Sequence, residues 1–176
     1  RDHYDEAMKS LPNLKTGITI NRVEVWVTNK SGTTSNTRNI VALTDLGENE
    51  RVSRTDLWGT GIGQVPTNNA NTEYNTIAQG YPAARNIDQV TGILDGAGLV
   101  GGNDYEKIAN ARLLNSSEYT VNPALGYISL RSGLQTDQVL AVAYEYTFGG
   151  VTYQVGEFAS DRTDINEALF VKSLKN

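Results

Sequence analysis

Residues able to carry out chemistry are few in this chain of 176 residues, which contains no cysteine and one histidine. Without cysteine there is no disulfide, thiolate metal ligand or cysteine nucleophile, and one histidine excludes a zinc site built from several histidines. The formal net charge of -5 disfavours a nucleic-acid partner, because an acidic surface repels phosphates. Candidate chemistry is therefore left to carboxylates, glycines and aromatic side chains.

Two groups of side chains have the types that bind metal ions. The first lies near the start of the chain and comprises Asp2, His3, Asp5 and Glu6. The second surrounds Gly47 and comprises Asp45, Glu48 and Glu50, which lack the regular oxygen spacing of an EF-hand. Since neither spacing gives good coordination geometry, we interpret the first group as anions at a helix start and the second as a solvated loop. We expect no bound metal or cofactor.

Three further carboxylates, Asp161, Asp164 and Glu167, are three residues apart and would share one face of a helix. Paired carboxylates support general acid–base catalysis, so this set is the main candidate for an active site. Helix capping and surface solvation explain the same spacing without any reaction. We therefore favour a protein that is not an enzyme.

Residues 96–101 read Gly-Ala-Gly-Leu-Val-Gly and match the glycine fingerprint of dinucleotide-binding proteins. That fingerprint needs a strand before it and a helix after it, so that pyrophosphate meets a helix N-terminus. Here the preceding residues 90–94 have a helical pattern. We interpret the segment as a glycine linker between two helices.

Six aromatic side chains are candidates for a platform that binds a sugar or a peptide: Trp26, Trp58, Tyr74, Tyr81, Tyr105 and Tyr127. Trp26 is of most interest because it shares a strand face with polar residues. An aromatic side chain that covers a half-buried sheet is the commoner outcome. The alternative function that this set motivates is a cell-surface adhesin or carbohydrate-binding module.

The first half of the chain predicts two strands followed by loops. Residues 18–28 alternate and predict a strand, with a bulge or a strand break at Asn21 because Ile18 and Ile20 have the opposite parity to Val23. Residues 37–43 predict a second strand, antiparallel to the first. Residues 44–85 have little periodicity, so we expect a loop-rich region that is functional, mobile or covered by another part of a larger protein.

Short helices are predicted from capping residues and spacing. They span residues 2–10, 86–94 and 103–114. Residues 164–171 begin with a capping pattern but continue with Leu169-Phe170-Val171, so a helix and a strand both remain open there.

Two hairpins are predicted in the last third of the chain. Residues 119–121 and 127–130 flank a turn that contains Pro123 and Gly126, and residues 138–148 and 151–158 flank Gly149-Gly150. A two-residue loop at the glycines sets a register in which Phe148 faces Val151.

Together these elements predict an α+β fold, with a mainly antiparallel sheet, a few short helices and long loops. The length fits a single soluble domain over residues 1–176. The chain begins at Arg1 without an initiator methionine, so we expect a fragment of a much longer chain. Its longest apolar stretch, residues 139–144, is far below the roughly 20 residues that a membrane helix needs.

Several long blocks resemble the SprA/Sov family of outer-membrane translocons of the Bacteroidetes. They are residues 21–30 (NRVEVWVTNK), 39–48 (NIVALTDLGE), 68–71 (NNAN), 118–130 (EYTVNPALGYISL), 139–147 (VLAVAYEYT) and 153–158 (YQVGEF). The similarity extends over most of the chain and is weakest in residues 51–64 and 161–166. Blocks of this length, in the same order, make chance matching improbable.

The resemblance implies that the parent protein is the translocon of the type IX secretion system, which also serves gliding motility. The family has no catalytic residues to carry over. It implies a non-enzymatic domain at the cell outer membrane or cell surface, facing the exterior or the periplasm, that does not itself span the membrane. The implied partners are the remaining domains of the translocon and other secretion-system subunits, with cargo protein as a further candidate and no nucleic acid.

Overall fold

The computed structural model of the chain describes residue 9 and residues 17–59 and 65–175. This part contains eight strands: β1 (Ile18–Val27), β2 (Thr37–Leu43), β3 (Tyr105–Leu113), β4 (Tyr119–Asn122), β5 (Tyr127–Leu130), β6 (Leu140–Phe148), β7 (Val151–Val155) and β8 (Leu169–Lys175). Its helical elements are short: α1 (Glu73–Asn75), α2 (Val90–Gly96), a π-helical turn (Thr76–Gly80) and two 3-10 segments (Pro82–Arg85 and Ala159–Asp161). The predicted α+β class, mainly antiparallel β with few short helices, is confirmed.

Five strands close into a small barrel. The neighbours run in the order β1-β3-β2-β8-β6, and β6 pairs with β1 to complete the ring. Every pair in the ring is antiparallel except β2–β8, which is parallel. β7 pairs with β6 alone and extends the barrel wall as a hairpin.

Side chains from all five strands fill the barrel interior, together with Phe158. This buried cluster consists of Trp26, Ile40, Ala42, Ile108, Ala111, Ala141, Ala143, Phe158, Leu169 and Val171. Four alanines occur among them because a ring of only five strands leaves little room for side chains. The interior is therefore a packed core.

Two separate segments cover the outside of the barrel. We name residues 44–104 the loop cover; its buried Leu46, Trp58, Ile77 and Leu94 pack with outward side chains such as Phe170 of β8. We name residues 119–130, which form the β4–β5 hairpin, the hairpin cover. It packs on the other side, against outward residues of β1 and β6.

In the region predicted to be loop-rich, residues 44–85, the described residues are irregular up to residue 72 and then form short helical elements between Glu73 and Arg85. The apolar residues of this region have a partner within the chain. Leu46, Ala70 and Ile77 are 0% exposed. The described part of this region thus packs on its own barrel, and a second protein is not needed to bury these side chains.

The bulge predicted at Asn21 is confirmed, since the pairing of β1 with β6 shifts between Ile20 and Arg22. The prediction that the strand at 37–43 runs antiparallel to the first is wrong. β2 lies between β3 and β8, while β1 pairs with β6 along its length. Residues 40–43 are buried on both faces, and such a strand belongs in the middle of a sheet.

Both predicted hairpins are confirmed. β6 and β7 pair Phe148 with Val151 and Tyr144 with Val155, and Gly149 and Gly150 both have positive φ, as a tight two-residue turn requires. β4 and β5 pair Tyr119 with Leu130.

The helix predicted over residues 103–114 is wrong, because this segment is strand β3. Its buried residues Tyr105, Ile108 and Ala111 are three apart and imitate a helical face. Tyr105 faces the loop cover, whereas Ile108 and Ala111 both face the barrel interior. The last two share a face because of a bulge, where Asn110 has φ 51° and donates its N–H to Asn39 Oδ1.

Of the remaining helix predictions, one is shifted, one is replaced by a strand and one lies almost wholly outside the described residues. The helix over 86–94 is shifted, since α2 spans Val90–Gly96. Over 164–171 the strand alternative is correct, because β8 begins at Leu169. The helix at 2–10 lies outside the described residues except for Lys9. In the part of the chain that the structure describes, no helix combines the length and apolar character needed to cross a membrane.

Candidate interaction site

The candidate metal ligands are not brought together. Asp2, His3, Asp5 and Glu6 lie outside the described residues. The Asp45 carboxylate instead accepts the backbone N–H groups of Ser53 (2.7 Å) and Arg54 (2.9 Å), so it shapes its loop. Glu48 pairs with Lys172 at 2.8 Å, and Glu50 is exposed. Among the described residues, no three His, Asp or Glu side chains are placed to hold a metal ion.

The three carboxylates near residue 164 do not share a helical face. Asp161 accepts from Arg22 at 3.0 Å, Asp164 accepts the N–H of Asn166 at 2.9 Å, and Glu167 lies 3.6 Å from Arg162. Because each carboxylate has its own separate partner, the structure does not assemble the acid–base pair that this spacing suggested.

The glycine segment at 96–101 follows helix α2, and strand β3 comes after it, so the predicted linker joins a helix to a strand. Leu99 within it is 3% exposed, and the N–H of Val100 donates to Asp104 Oδ2 at 2.9 Å. The required order for a pyrophosphate cradle, strand before and helix after, is reversed.

The aromatic platform is not formed. Trp26 is 1% exposed inside the barrel, and Trp58 of the loop cover and Tyr105 of β3 are buried between the loop cover and the barrel. Tyr74 and Tyr81 are half-buried, so Tyr127 is the one exposed member of the predicted set.

An ionic cluster that the sequence analysis missed is centred on Glu157, directly after β7. Its buried carboxylate accepts five hydrogen bonds: Arg85 Nη1 (2.9 Å), Arg85 Nη2 (2.7 Å), Arg162 Nη2 (2.8 Å), Tyr74 Oη (2.7 Å) and Phe170 N (3.0 Å). The Arg85 guanidinium also lies 4.3 Å from the centroid of the Phe170 ring. The cluster ties the loop cover to the end of β7 and to β8.

Glu157 is held as an anion. Burial alone would raise its pKa, but hydrogen bonds from the Arg85 guanidinium and the Phe170 N–H outweigh burial and hold the pKa below its ordinary value. Both oxygens are fully engaged, so this carboxylate is an anchor and has no free lone pair for a substrate. The sequence signal was weak: one glutamate after Gly156 in an apolar stretch.

A large polar depression of about 770 Å³ lies beside Arg38, Asn86 and Glu167. The amino groups of Arg38 are occupied by backbone carbonyls, among them that of Asp164 at 2.8 Å. The depression therefore offers amides and backbone groups to a ligand and lacks an available guanidinium.

The feature best suited to binding is an apolar groove of about 430 Å³ between the barrel wall and the tip of the hairpin cover. β1 contributes Ile18 and Ile20, β6 contributes Tyr144 and Phe148, and the hairpin cover contributes Leu125. At the rim, Lys172 and Glu48 form an ion pair of 2.8 Å. Its walls can take apolar side chains, and its carboxylate and ammonium at Glu48 and Lys172 are paired with each other.

The β1 bulge builds one wall of this groove. Ile18 and Ile20 have even numbers and Val23 an odd one, so a regular strand would place them on opposite faces. The shift between Ile20 and Arg22 brings all three to the outer face, where they line the groove. The sequence predicted the bulge, but the opposite wall comes from a hairpin about 100 residues later.

The fold is a small closed-barrel α+β domain with an apolar groove on its outer surface. No family model matches the chain, and no curated protein matches it.

Proposed function

We propose that this chain is a non-enzymatic structural and interaction domain of the outer-membrane translocon for type IX protein secretion and gliding motility. The observation that carries the interaction role is the apolar groove, which the hairpin cover leaves only partly filled. Its occupant would be a segment of the same translocon or of another secretion-system subunit, with cargo protein as the further candidate.

Support for the particular system comes from where the family-like blocks fall. Residues 21–30 form most of β1, residues 118–130 form the hairpin cover, and residues 139–147 form most of β6. These three elements contribute most of the residues that line the groove. The domain would lie at the outer membrane, on its outer or periplasmic side, without spanning it.

Support for a non-catalytic role comes from the occupied carboxylates. The candidate acid–base residues Asp161, Asp164 and Glu167 each have a separate partner. The adhesin or carbohydrate-binding alternative loses its motivation, because Trp26 and Trp58 are buried.

The test uses the full-length parent protein carrying Leu125→Glu, which places a charge in the groove wall. We expect recovery of the other secretion subunits with the translocon, and secretion of cargo, to fall about tenfold or more, equivalent to about 1.4 kcal/mol of binding free energy. The matched control is Ile165→Glu, since Ile165 is 71% exposed and lies beside the polar depression. This control should change neither readout.

Unchanged recovery and secretion in a Leu125→Glu protein that reaches the outer membrane at the normal level would contradict the proposal. Loss of both readouts in the Ile165→Glu control as well would contradict the assignment to the groove.

A further inference from the structure

Glu73, the first residue of α1, is buried in the loop cover without a hydrogen-bond partner. Glu73 is 1% exposed, and neither its Oε1 nor its Oε2 accepts a hydrogen bond. An ionised carboxylate in such a place lacks both water and hydrogen bonds, so its charged form is strongly disfavoured. The geometry therefore favours a protonated Glu73.

The two aspartates near Glu73 also disfavour its ionised form, and one lysine favours it. Asp45 and Asp104 repel its negative charge, and Lys172 of β8 attracts it. The Lys172 ammonium is already engaged by Glu48 Oε1 at 2.8 Å and by the carbonyl of Thr44. Its attraction for Glu73 is thus shared with another carboxylate.

The two neighbouring aspartates already have donors of their own. Asp45 accepts two backbone N–H groups, and Asp104 accepts the Arg54 guanidinium and the N–H of Val100. Glu73 is the member of this acidic group that has none. The lack of any donor therefore favours the protonated form of the Glu73 carboxyl.

The backbone of Glu73 is tied through Asn71 to residues 45–48, and its side chain is buried. Its N–H donates to Asn71 Oδ1 at 2.8 Å, and Asn71 Nδ2 donates to the carbonyls of Asp45 (2.7 Å) and Glu48 (2.8 Å). Solvating the carboxylate requires α1 to separate from residues 45–48. The loop cover would then open locally.

We propose that Glu73 is a proton-operated latch: the loop cover stays packed on the barrel while the Glu73 carboxyl is protonated and opens locally when it ionises. Opening would uncover outward residues such as Val41 and Leu43 of β2, which are 0% exposed when the cover is closed. The latch does not rest on the proposed role in secretion, although Glu48 and Lys172 beside it also line the groove.

Burial, followed by repulsion from Asp45, raises the pKa of Glu73 well above its ordinary value of 4.5, and Lys172 opposes this only in part. An open cover releases the proton at the ordinary pKa, whereas the closed cover keeps it to higher pH. Between these two pKa values the closed state loses about tenfold in its equilibrium for each unit of rising pH. Above the pKa of Glu73 in the closed state, the closing equilibrium no longer changes with pH.

The test is amide hydrogen exchange of the full chain over a pH series, corrected for the intrinsic exchange rate. Protection of residues 69–80 should fall with rising pH, by up to about tenfold per pH unit, while protection of β6 stays constant. Glu73→Gln, which is neutral and of the same shape, should remove this pH dependence. The matched control is Glu50→Gln, an exposed carboxyl in the same cover, which should behave like the wild type.

Constant protection of residues 69–80 in the wild type would overturn the latch, as would the same fall in Glu73→Gln. If Glu73→Gln does not fold, the wild-type carboxyl carbon of Glu73 is titrated by NMR. A midpoint near 4.5 would overturn the proposal, and a midpoint well above it would support it.

Discussion

The loop cover and the hairpin cover solve the same problem, the burial of outward apolar residues of the barrel, by different means. The loop cover combines an apolar cluster with polar anchors, above all the Glu157 cluster that Tyr74 and Arg85 join. The hairpin cover packs on the barrel through an apolar cluster, and Tyr119 Oη donates a long hydrogen bond of 3.5 Å to the carbonyl of Val23.

This difference teaches where the molecule is fixed and where it can accept a partner. Directional bonds to a buried carboxylate define one position for the loop cover, because any displacement would leave charges unpaired. Apolar contacts are not directional, so the hairpin cover can leave a groove beside it without exposing an unpaired charge. The three predictions that follow test this contrast by pairing a change in one cover with its match at the other.

The largest effect is expected from Glu157→Ala. The change leaves the guanidinium of Arg85 buried and without its carboxylate, so the free energy of unfolding should fall by about 3–5 kcal/mol. Urea denaturation followed by tryptophan fluorescence measures this, since both Trp26 and Trp58 are buried.

The matched change lies directly before the hairpin cover: Glu118→Ala breaks the pair with Arg112 at 2.8 Å. This pair is open to solvent and screened, so the loss should be about 1 kcal/mol or less. Equal losses for Glu157→Ala and Glu118→Ala would remove the contrast between the two covers.

The second prediction compares apolar side chains. Leu94 in the loop cover is 0% exposed, so Leu94→Ala should lower the free energy of unfolding by about 2–5 kcal/mol through lost burial and a cavity. Leu125 is half-buried in the groove wall, and Leu125→Ala should lower it by about 1 kcal/mol or less. A larger loss for Leu125→Ala than for Leu94→Ala would show that the hairpin cover is the tighter of the two.

The smallest difference is expected between two glycines with positive φ. Gly47 in the loop cover has φ 78°, and a Cβ there would meet Val155 Cγ1 at 2.8 Å. Gly126 in the hairpin cover has φ 66° and open space around it. Both alanine variants should lose about 1–2 kcal/mol from the backbone, and Gly47→Ala should lose about 1–3 kcal/mol more from the clash. Thermal unfolding of the two variants measures the difference, and equal midpoints would contradict it.

Local patterns predicted the elements whose neighbours are close in sequence. The register of β6 and β7 follows from Gly149-Gly150 and the alternation on each side, and the bulge of β1 follows from the change of parity at Asn21. The helix predicted at β3 is wrong because buried residues occur on both faces of this strand and a bulge at Asn110 interrupts its alternation. The pairing partner of β2 was missed for another reason: it depends on closure of the barrel, which no local pattern records.

The sites were less predictable than the strands. Asp45, Asp164 and the glycines at 96–101 were singled out by spacing, yet all serve local structure. Glu157 and Glu73 were not singled out, although one is the most heavily bonded carboxylate in the described part and the other has no bond. Spacing shows which residues are neighbours along the chain, whereas the state of a carboxyl depends on donors that come from distant segments.

The sequence by itself determined the α+β class, the hairpins, the bulge in β1 and the lack of cysteine chemistry, because each depends on composition or on contacts within a few residues. Only the tertiary structure decided that five strands close into a barrel and that its two covers differ. It also decided that Arg85 meets Glu157 across 72 residues while Glu73 meets no donor. The physical reason is that burial and hydrogen bonding set the charge and role of a side chain, and both are properties of the packed molecule.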